Sequence, residues 1–243
     1  NAPEGLTGPY RWVDFYNEGI SGILTEQAQG WYYKSNLGAD DAGNIRFSPA
    51  QAVLSKPAYT GLTSGVLQLL DLEANGQKQL VVNDGAVQGF FELDENSQWQ
   101  PFRAFLKTLN LDLHDPNIRF LDLNGDGKPE ALMADQGAFL WWENLGKTGY
   151  DDPSFIPKSY DEEKGPAILF ADPENCIFLA DMTGDGLSDI VRIKNGEICY
   201  WANMGYGRFS AKVTMSNAPV FDTADQFNPS YLHLADISGT GAT

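Results

Sequence analysis

An acidic, glycine-rich turn recurs along this chain and limits the folds open to it more than any other feature. The clearest copy is DMTGDGLSD at positions 181–189, inside a unit that runs from Leu179 to Phe209. The five copies begin at Asp14, Asp71, Asp122, Asp181 and Asp236. Their starts are 57, 51, 59 and 55 residues apart. A repeat of this length is typical of propellers and solenoids.

The segments between these turns all have the character of β-strands. The first copy contains RWVDF, GILTE and GWYYKSN, and the third contains IRFLDL, EALMAD and FLWWEN. Such runs are short, β-branched or aromatic, and bounded by turn residues. One small antiparallel sheet cannot bury both of its faces, so neighbouring sheets must stack. We predict an all-β fold, a β-propeller of four-stranded antiparallel blades. A linear β-solenoid is less favoured because its coils are shorter and more uniform.

The repeat predicts that residues 1–243 form one propeller region, with four blades and the start of a fifth. The predicted units cover residues 10–58, 61–110, 111–163, 164–218 and, in part, 231–243. The sequence starts just before one repeat and stops inside the turn of another. We therefore expect this chain to be a piece of a longer protein.

The charge of the chain excludes several classes of partner. It has 33 acidic and 16 basic side chains, a formal net charge of −17. Nucleic acids and anionic lipids require clustered Lys and Arg, so neither is a predicted partner. No stretch approaches the roughly 20 apolar residues of a membrane helix, so we predict no direct membrane insertion. The acidity fits either cation-binding turns or a soluble extracellular surface.

The two cysteines are predicted to be free and buried. The repeat places Cys176 and Cys199 on the first and third strands of one sheet. Strands two apart in a sheet are separated by about 9–10 Å. A disulfide requires Cα atoms within about 7 Å, so these two residues are not expected to pair.

The third and fourth turns have the spacing of a calcium loop. Oxygen-bearing side chains fall at positions one, three, five and nine, and glycine fills position six. The predicted side-chain ligands are Asp122, Asn124, Asp126 and Glu130 in the third turn, and Asp181, Thr183, Asp185 and Asp189 in the fourth. The backbone carbonyls of Lys128 and Leu187 would complete the two sets at position seven. We predict a structural Ca²⁺ in each turn; clustered His or Cys, which zinc prefers, are lacking.

A metal-free turn is the alternative. Asp-Gly favours tight turns, and aspartate can accept hydrogen bonds from its own backbone. Repulsion among carboxylates favours a cation in the third and fourth turns. The first and second turns are weaker candidates because Gly22 and Gln79 occupy their ninth positions. The fifth turn has Thr240 at position five and no ninth residue.

No pattern for catalysis emerges from the sequence. The nucleophile elbow, the H-E-x-x-H zinc motif and the phosphate-binding loop are all lacking. The only histidines are His114 and His233. Aromatic runs such as Trp141-Trp142 and Tyr200-Trp201 recur at one point of each repeat, which favours core packing over a sugar-binding stripe. We predict that this region is not an enzyme.

Two resemblances sharpen this interpretation. The closing segment Asn203–Phe209, NMGYGRF, resembles the FG-GAP repeat of integrin-α-type propellers, which indicates a fold and not a function. Three longer strings are more specific: RWVDFYNEGISGILTEQAQGWYYKSNLG, DEEKGPAILFAD and LADMTGDGLSDIVRIKNGEICYWANMGYGRFSAKVTMSNAP. They resemble the middle region of the B component of bacterial insecticidal Tc toxin complexes and of SpvB-like toxins.

This resemblance implies a six-bladed propeller, of which the chain supplies about four blades, in a secreted toxin. In that family the B and C components form a hollow shell around a cytotoxic payload. The propeller closes the shell, docks on the channel-forming A component and opens as a gate. The payload enzyme and the self-cleaving protease lie outside this region. The alternative is a carbohydrate- or matrix-binding adhesin propeller of integrin or lectin type.

Overall fold

A computed structural model describes residues 10–27, 30–54, 56–58, 67–83, 85–172, 174, 176–223, 226–232 and 234. The fifth predicted turn, which begins at Asp236, lies outside the described residues, and so does His233. The chain divides into two compact units. The first comprises Asn1–His114 with Leu145–Gly149, and the second comprises Asp115–Asn144 with Tyr150–Thr243.

Two four-stranded sheets make up the first unit. One has the order β1-β2-β3-β6, with strands β1 (Tyr10–Val13), β2 (Gly22–Gln27), β3 (Gly30–Lys34) and β6 (Gln51–Ala52). The other has the order β10-β9-β8-β7, with strands β7 (Leu67–Leu70), β8 (Gln79–Val82), β9 (Gly89–Phe91) and β10 (Arg103–Ala104). A separate hairpin joins β4 (Asn36–Ala39) to β5 (Ile45–Phe47). All of these pairings are antiparallel.

The second unit repeats the same design. Its first sheet has the order β11-β12-β13-β14, with strands β11 (Ile118–Leu121), β12 (Glu130–Ala134), β13 (Ala138–Trp142) and β14 (Ser154–Pro157). Its second has the order β15-β16-β17-β18, with strands β15 (Ile177–Ala180), β16 (Asp189–Lys194), β17 (Glu197–Trp201) and β18 (Val213–Thr214). Short 3₁₀ turns cover Gly146–Thr148 and Pro229–Tyr231.

The predicted fold class is confirmed. Four antiparallel four-stranded sheets with meander order are the blades of a β-propeller. The described residues contain strands and 3₁₀ turns and no α-helix. The division of residues 1–243 into one propeller region stays a prediction.

Alternating side chains of the central strands bury both faces of a blade. On β16, Ile190 packs into one core with Leu132, whereas Val191 and Ile193 pack into another with Leu232. This alternation follows from the two-residue period of a strand. Each fully buried Val or Ile side chain contributes roughly 1.5–3 kcal/mol, so stacking between sheets supplies much of the stability.

The aromatic runs of the repeat contribute mostly buried residues, as predicted, although Tyr32 is 36% exposed. Trp31, Phe90 and Trp201 are buried, and Trp31 lies in the core of the first unit with Leu67 and Leu80. The prediction for the cysteines is also confirmed: Cys176 and Cys199 are free and buried. Cys176 immediately precedes β15, Cys199 lies on β17, and β16 lies between these two strands.

Candidate functional site

The first aspartate closes every one of the four described turns. In the third turn, the Asp122 carboxylate accepts hydrogen bonds from the backbone N–H groups of Gly125 at 2.7 Å and Gly127 at 2.8 Å. The other turns repeat this arrangement: Asp14 with Glu18 and Gly19, Asp71 with Asn75 and Gly76, and Asp181 with Gly184 and Gly186. The recurrent aspartate therefore holds its own turn in shape, as the metal-free interpretation requires.

These hydrogen bonds from backbone N–H groups also change the pKa of the aspartate. Burial raises the pKa of Asp181, but hydrogen bonds from Gly186 and Gly184 outweigh that effect, and the pKa is lowered overall. A carboxylate that accepts several backbone amides is stabilised in its charged form. The turn thus keeps its negative charge whether or not a cation is bound.

The ninth position supplies a buried acceptor for the amide of position two. Glu130 Oε2 accepts from Leu123 N–H at 2.7 Å, and Gln79 Oε1 accepts from Leu72 N–H at 2.9 Å. Asp189 Oδ2 forms the corresponding bond in the fourth turn, at 2.8 Å. All three ninth-position residues are 0% exposed. Because glutamine serves as well as a carboxylate, this bond does not depend on negative charge.

In the first turn, a tyrosine from the third strand of the sheet takes over this task. The ninth residue is Gly22, and Phe15 N–H donates instead to the hydroxyl of Tyr33 at 3.4 Å. A Cβ at Gly22 would lie only 2.4 Å from that hydroxyl, so the glycine leaves the necessary space. Burial, together with the nearby Glu18, raises the pKa of Tyr33 to about 12. In the sequence, the only sign of this replacement is the glycine at position nine of the turn, Gly22.

The asparagine of the closing signature binds the eighth residue of the turn. Asn203 Nδ2 donates to the Ser188 carbonyl at 3.3 Å, and Asn144 Nδ2 donates to the Pro129 carbonyl at 2.9 Å. Asn36 and Ser21 repeat the bond in the first sheet at 3.2 Å. The asparagine therefore ties the turn between strands three and four of a blade to the turn between strands one and two.

The predicted ligands of the third turn are only partly arranged for a cation. Asn124 Oδ1 accepts from Asp126 N–H at 2.9 Å, and Asp126 forms an ion pair with Lys128 at 3.1 Å. Glu130 Oε1 is buried and forms no hydrogen bond of ordinary geometry, although the backbone N–H of Asn144 interacts with the carboxylate and lowers its pKa. Burial, with smaller effects from the charges of Asp126 and Asp122, raises the pKa of Glu130 to about 7. A buried carboxylate beside two others is a group that a hard cation would stabilise.

The fourth turn offers less to a cation. Both oxygens of Asp189 are engaged, one with Met182 N–H and the other with Asn203 N–H at 2.7 Å. Thr183 Oγ1 lies 3.4 Å from Asp181 Oδ1, and Asp185 accepts from the backbone N–H of Leu187 at 2.9 Å. Across the described part of the chain, no three His, Cys, Asp or Glu side chains are grouped to hold a metal ion. Calcium binding stays a prediction for both turns.

Two further features bear on the choice of function. His114 is exposed and lies 3.2 Å from Asp112 in a polar connection, which is the setting of a surface residue. Within the described residues we find no helical segment with the length and hydropathy to cross a bilayer.

The fold and its hydrogen-bonded turns define a class of protein: a β-propeller whose blades are closed by aspartate turns. One solved relative in fold is the Tc holotoxin pore of Photorhabdus luminescens with a mutated TccC3 component. The match covers 96% of this chain and 10% of that chain, with a TM-score of 0.79 and 22% identity. This chain thus shares its fold with a segment of a Tc toxin, and the predicted resemblance is confirmed at the level of fold.

Other solved structures are more distant. An Agrocybe aegerita lectin that recognises non-reducing terminal N-acetylglucosamine matches 86% of this chain and 52% of its own, with a TM-score of 0.54 and 18% identity. A TcdB2–TccC3 crystal structure matches 85% of this chain and 12% of its own, at a TM-score of 0.46 and 18% identity. No protein-family model matches the sequence, and no curated protein matches it.

Proposed function

We propose that this chain is a non-enzymatic propeller segment of a secreted toxin-complex component. It docks on the channel-forming A component and gates release of a toxin enclosed in the shell formed with the C component. The observation that carries the proposal is the match of 96% of the chain to a segment of the Tc holotoxin, at a TM-score of 0.79. The chain spans a tenth of the toxin chain that it matches. Docking and gating by this chain are therefore part of the proposal.

The physical character of the chain supports a docking role. Within a blade, the turn is braced by hydrogen bonds to its first aspartate, from the closing asparagine and to a buried ninth residue, which favours a rigid platform. The net charge of −17 would speed encounter with a basic protein surface and disfavour anionic membranes. These properties fit a scaffold that recognises another protein.

The test measures binding of the parent protein to a channel-forming partner by interferometry. We expect tight binding that is lost when this propeller region is deleted. Association should slow as salt is raised, because charge steering is screened. Unchanged binding by the deletion variant would refute the docking role.

A carbohydrate- or matrix-binding adhesin is the second candidate, and the likeness in fold to a lectin favours it. The same preparation of the parent protein should therefore be applied to a glycan array. Glycan binding in the absence of any binding to a channel-forming partner would replace the first proposal with this one.

We further propose a structural Ca²⁺ in the third turn, held by Asp122, Asn124, Asp126, Glu130 and the Lys128 carbonyl, with the fourth turn as the weaker site. The buried carboxylate of Glu130, whose pKa is raised in part by the charges of Asp126 and Asp122, supports it. Ligands that bind only the folded state raise its melting temperature by mass action. Calcium should therefore raise the melting temperature of the wild type more than that of Glu130→Gln, with magnesium as the control. Equal shifts, or none, would reject the site.

A further inference from the structure

A polar cleft opens in the first unit between the first turn and the turns of the second blade. It has a volume of about 350 Å³. Its walls come from the first turn (Phe15, Tyr16 and Asn17), the second turn (Asn75, Gln77 and Lys78) and the connection from β9 to β10 (Leu93, Asp94, Glu95 and Ser97). A volume of this size accepts a small ligand of one or two ring units.

Part of the lining is committed to holding the cleft open. Asn75 Oδ1 accepts from Gln77 N–H at 3.0 Å, and Gln77 Nε2 donates to the Leu93 carbonyl at 2.6 Å. Asp94 accepts backbone amides of its own turn, from Asn96 and Gln98. These bonds fix the walls before any ligand arrives, which lowers the entropic cost of binding.

Lys78 pairs with Asp71 at 3.9 Å, and four other polar residues of the lining are uncommitted. Across the described residues, the side chains of Tyr16, Asn17, Glu95 and Ser97 form no hydrogen bond with the protein. They offer two hydroxyls, one amide and one carboxylate, a set that is mostly neutral and rich in both donors and acceptors. Such a set suits a neutral, hydroxyl-rich ligand better than an anion or an apolar molecule.

Tyr16 gives the cleft an aromatic wall. Its ring is held edge-on by Phe15, with centroids 4.8 Å apart, and by Tyr33, with centroids 5.4 Å apart. The side chain remains 37% exposed. A fixed, partly exposed ring that carries a hydroxyl presents both apolar area and a polar handle to a ligand.

Two of the uncommitted residues sit in an unusual backbone conformation. Asn17 has φ 58° and Ser97 has φ 58°, in the left-handed region where glycine is the least strained residue. The Asn17 amide also requires Gly76, since a Cβ there would lie 2.5 Å from Asn17 Oδ1. Polar side chains are thus present at positions where glycine would cost less, which is common at binding sites.

The corresponding region of the second unit carries different side chains. Leu187 occupies the seventh position of its turn, where the second turn has Gln77. Tyr206 N–H donates to the Leu123 carbonyl at 2.7 Å, and the Tyr206 ring lies 6.3 Å from that of Trp141. The polar cleft of the first unit is therefore not a necessary product of the repeat.

We propose that the cleft of Tyr16, Asn17, Glu95 and Ser97 binds a neutral sugar residue at the end of a glycan. The ring of Tyr16 packs against the apolar face of the sugar. The hydroxyls of the sugar form hydrogen bonds with the Asn17 amide, the Glu95 carboxylate and the Ser97 hydroxyl. This activity is separate from docking on a channel-forming partner and would give the chain a second ligand.

The experiment uses the full chain and the methyl glycosides of N-acetylglucosamine, galactose and mannose. Saturation-transfer NMR and calorimetry should detect saturable binding of at least one, with Kd on the order of 1 mM for a single residue. Tyr16→Ala should weaken it at least tenfold. Asn17→Gly keeps the backbone conformation and should weaken it roughly fivefold, as expected for one lost hydrogen bond.

The matched control is Tyr160→Ala, which removes a fully exposed tyrosine of the second unit. It should bind as the wild type does. Tyr16→Phe keeps the ring and should retain most of the affinity. This second variant keeps the sugar-binding proposal testable if Tyr16→Ala fails to fold. Absence of saturable binding to all three sugars, or wild-type affinity in Tyr16→Ala, would overturn the proposal. Docking of the parent protein should be unchanged in Tyr16→Ala.

Discussion

The ninth residue of each turn should act mainly as a buried hydrogen-bond acceptor, and Asp189 gives the sharpest test. Its two oxygens accept the backbone N–H groups of Met182 at 2.8 Å and Asn203 at 2.7 Å, and its side chain is 0% exposed. Replacement by alanine would leave both donors buried without a partner.

The expected loss follows from those two bonds. A buried donor without a partner costs about 1–3 kcal/mol, so two cost about 2–6 kcal/mol. Burial raises the pKa of Asp189, which means that its charge is itself penalised in the folded state. Removing that charge offsets part of the loss, and we expect Asp189→Ala to cost about 2–4 kcal/mol. For a chain of this size, each kcal/mol lowers Tm by about 2–4 °C.

The assay is thermal unfolding followed by circular dichroism, in excess calcium and in excess EDTA. Asp189→Ala should lose the same amount of stability in both, because the bonds are internal to the protein. Asp189→Asn keeps one carbonyl oxygen and should lose roughly half as much. Gln79→Ala, in a turn that lacks the ninth carboxylate, is the control and should cost about 1–3 kcal/mol in either buffer.

Two results would contradict this reasoning. If Asp189→Ala melted with the wild type in EDTA, the acceptor role would be wrong. If its loss of stability appeared only in calcium, the carboxylate would be acting as a metal ligand instead.

Three further predictions rest on separate features. Burial, helped by Asp172, raises the pKa of the Cys176 thiol to about 12, so Ellman's reagent should label it only after unfolding. Burial lowers the pKa of Lys158 from 10.5 to about 8, so the folded chain binds fewer protons between these values. Stability should therefore rise from pH 8 to pH 10.5, and chemical denaturation at a series of pH values measures it. Gly207→Ala should cost about 2–4 kcal/mol, because φ is 70° and its Cβ would lie 2.5 Å from Ile156 Cδ1. Gly186→Ala has φ 88° and open space, so it should cost only about 1 kcal/mol; equal Tm losses would contradict the packing argument.

The fold class could be predicted because it is written in local, repeated patterns. Alternating apolar residues set the strands, and an Asp-Gly turn between them sets the hairpins. The antiparallel sheets of the second unit, including the pairing of Ile190 with Trp201, follow from those signals. The burial of Trp201 follows as well, because a repeated aromatic position must face a neighbouring sheet.

The roles of the turn residues could be predicted only in part from the sequence. Spacing alone indicated that oxygen ligands converge at positions one, three, five and nine. The structure shows that Glu130 and Gln79, one charged and one neutral, make the same bond to the amide of position two. Whether a side chain points toward a loop or into the core depends on the register of the strand that follows it, which spacing does not specify.

The sequence by itself determined the repeat, the blades and the acidic turns, since each depends on residues within one unit. Tertiary structure decided that Tyr33 replaces the missing ninth side chain above Gly22, and that Tyr16, Asn17 and Ser97 meet in one cleft. These contacts join residues from different strands and turns. Their geometry depends on how the sheets stack, and no local sequence pattern specifies which residues from distant segments meet.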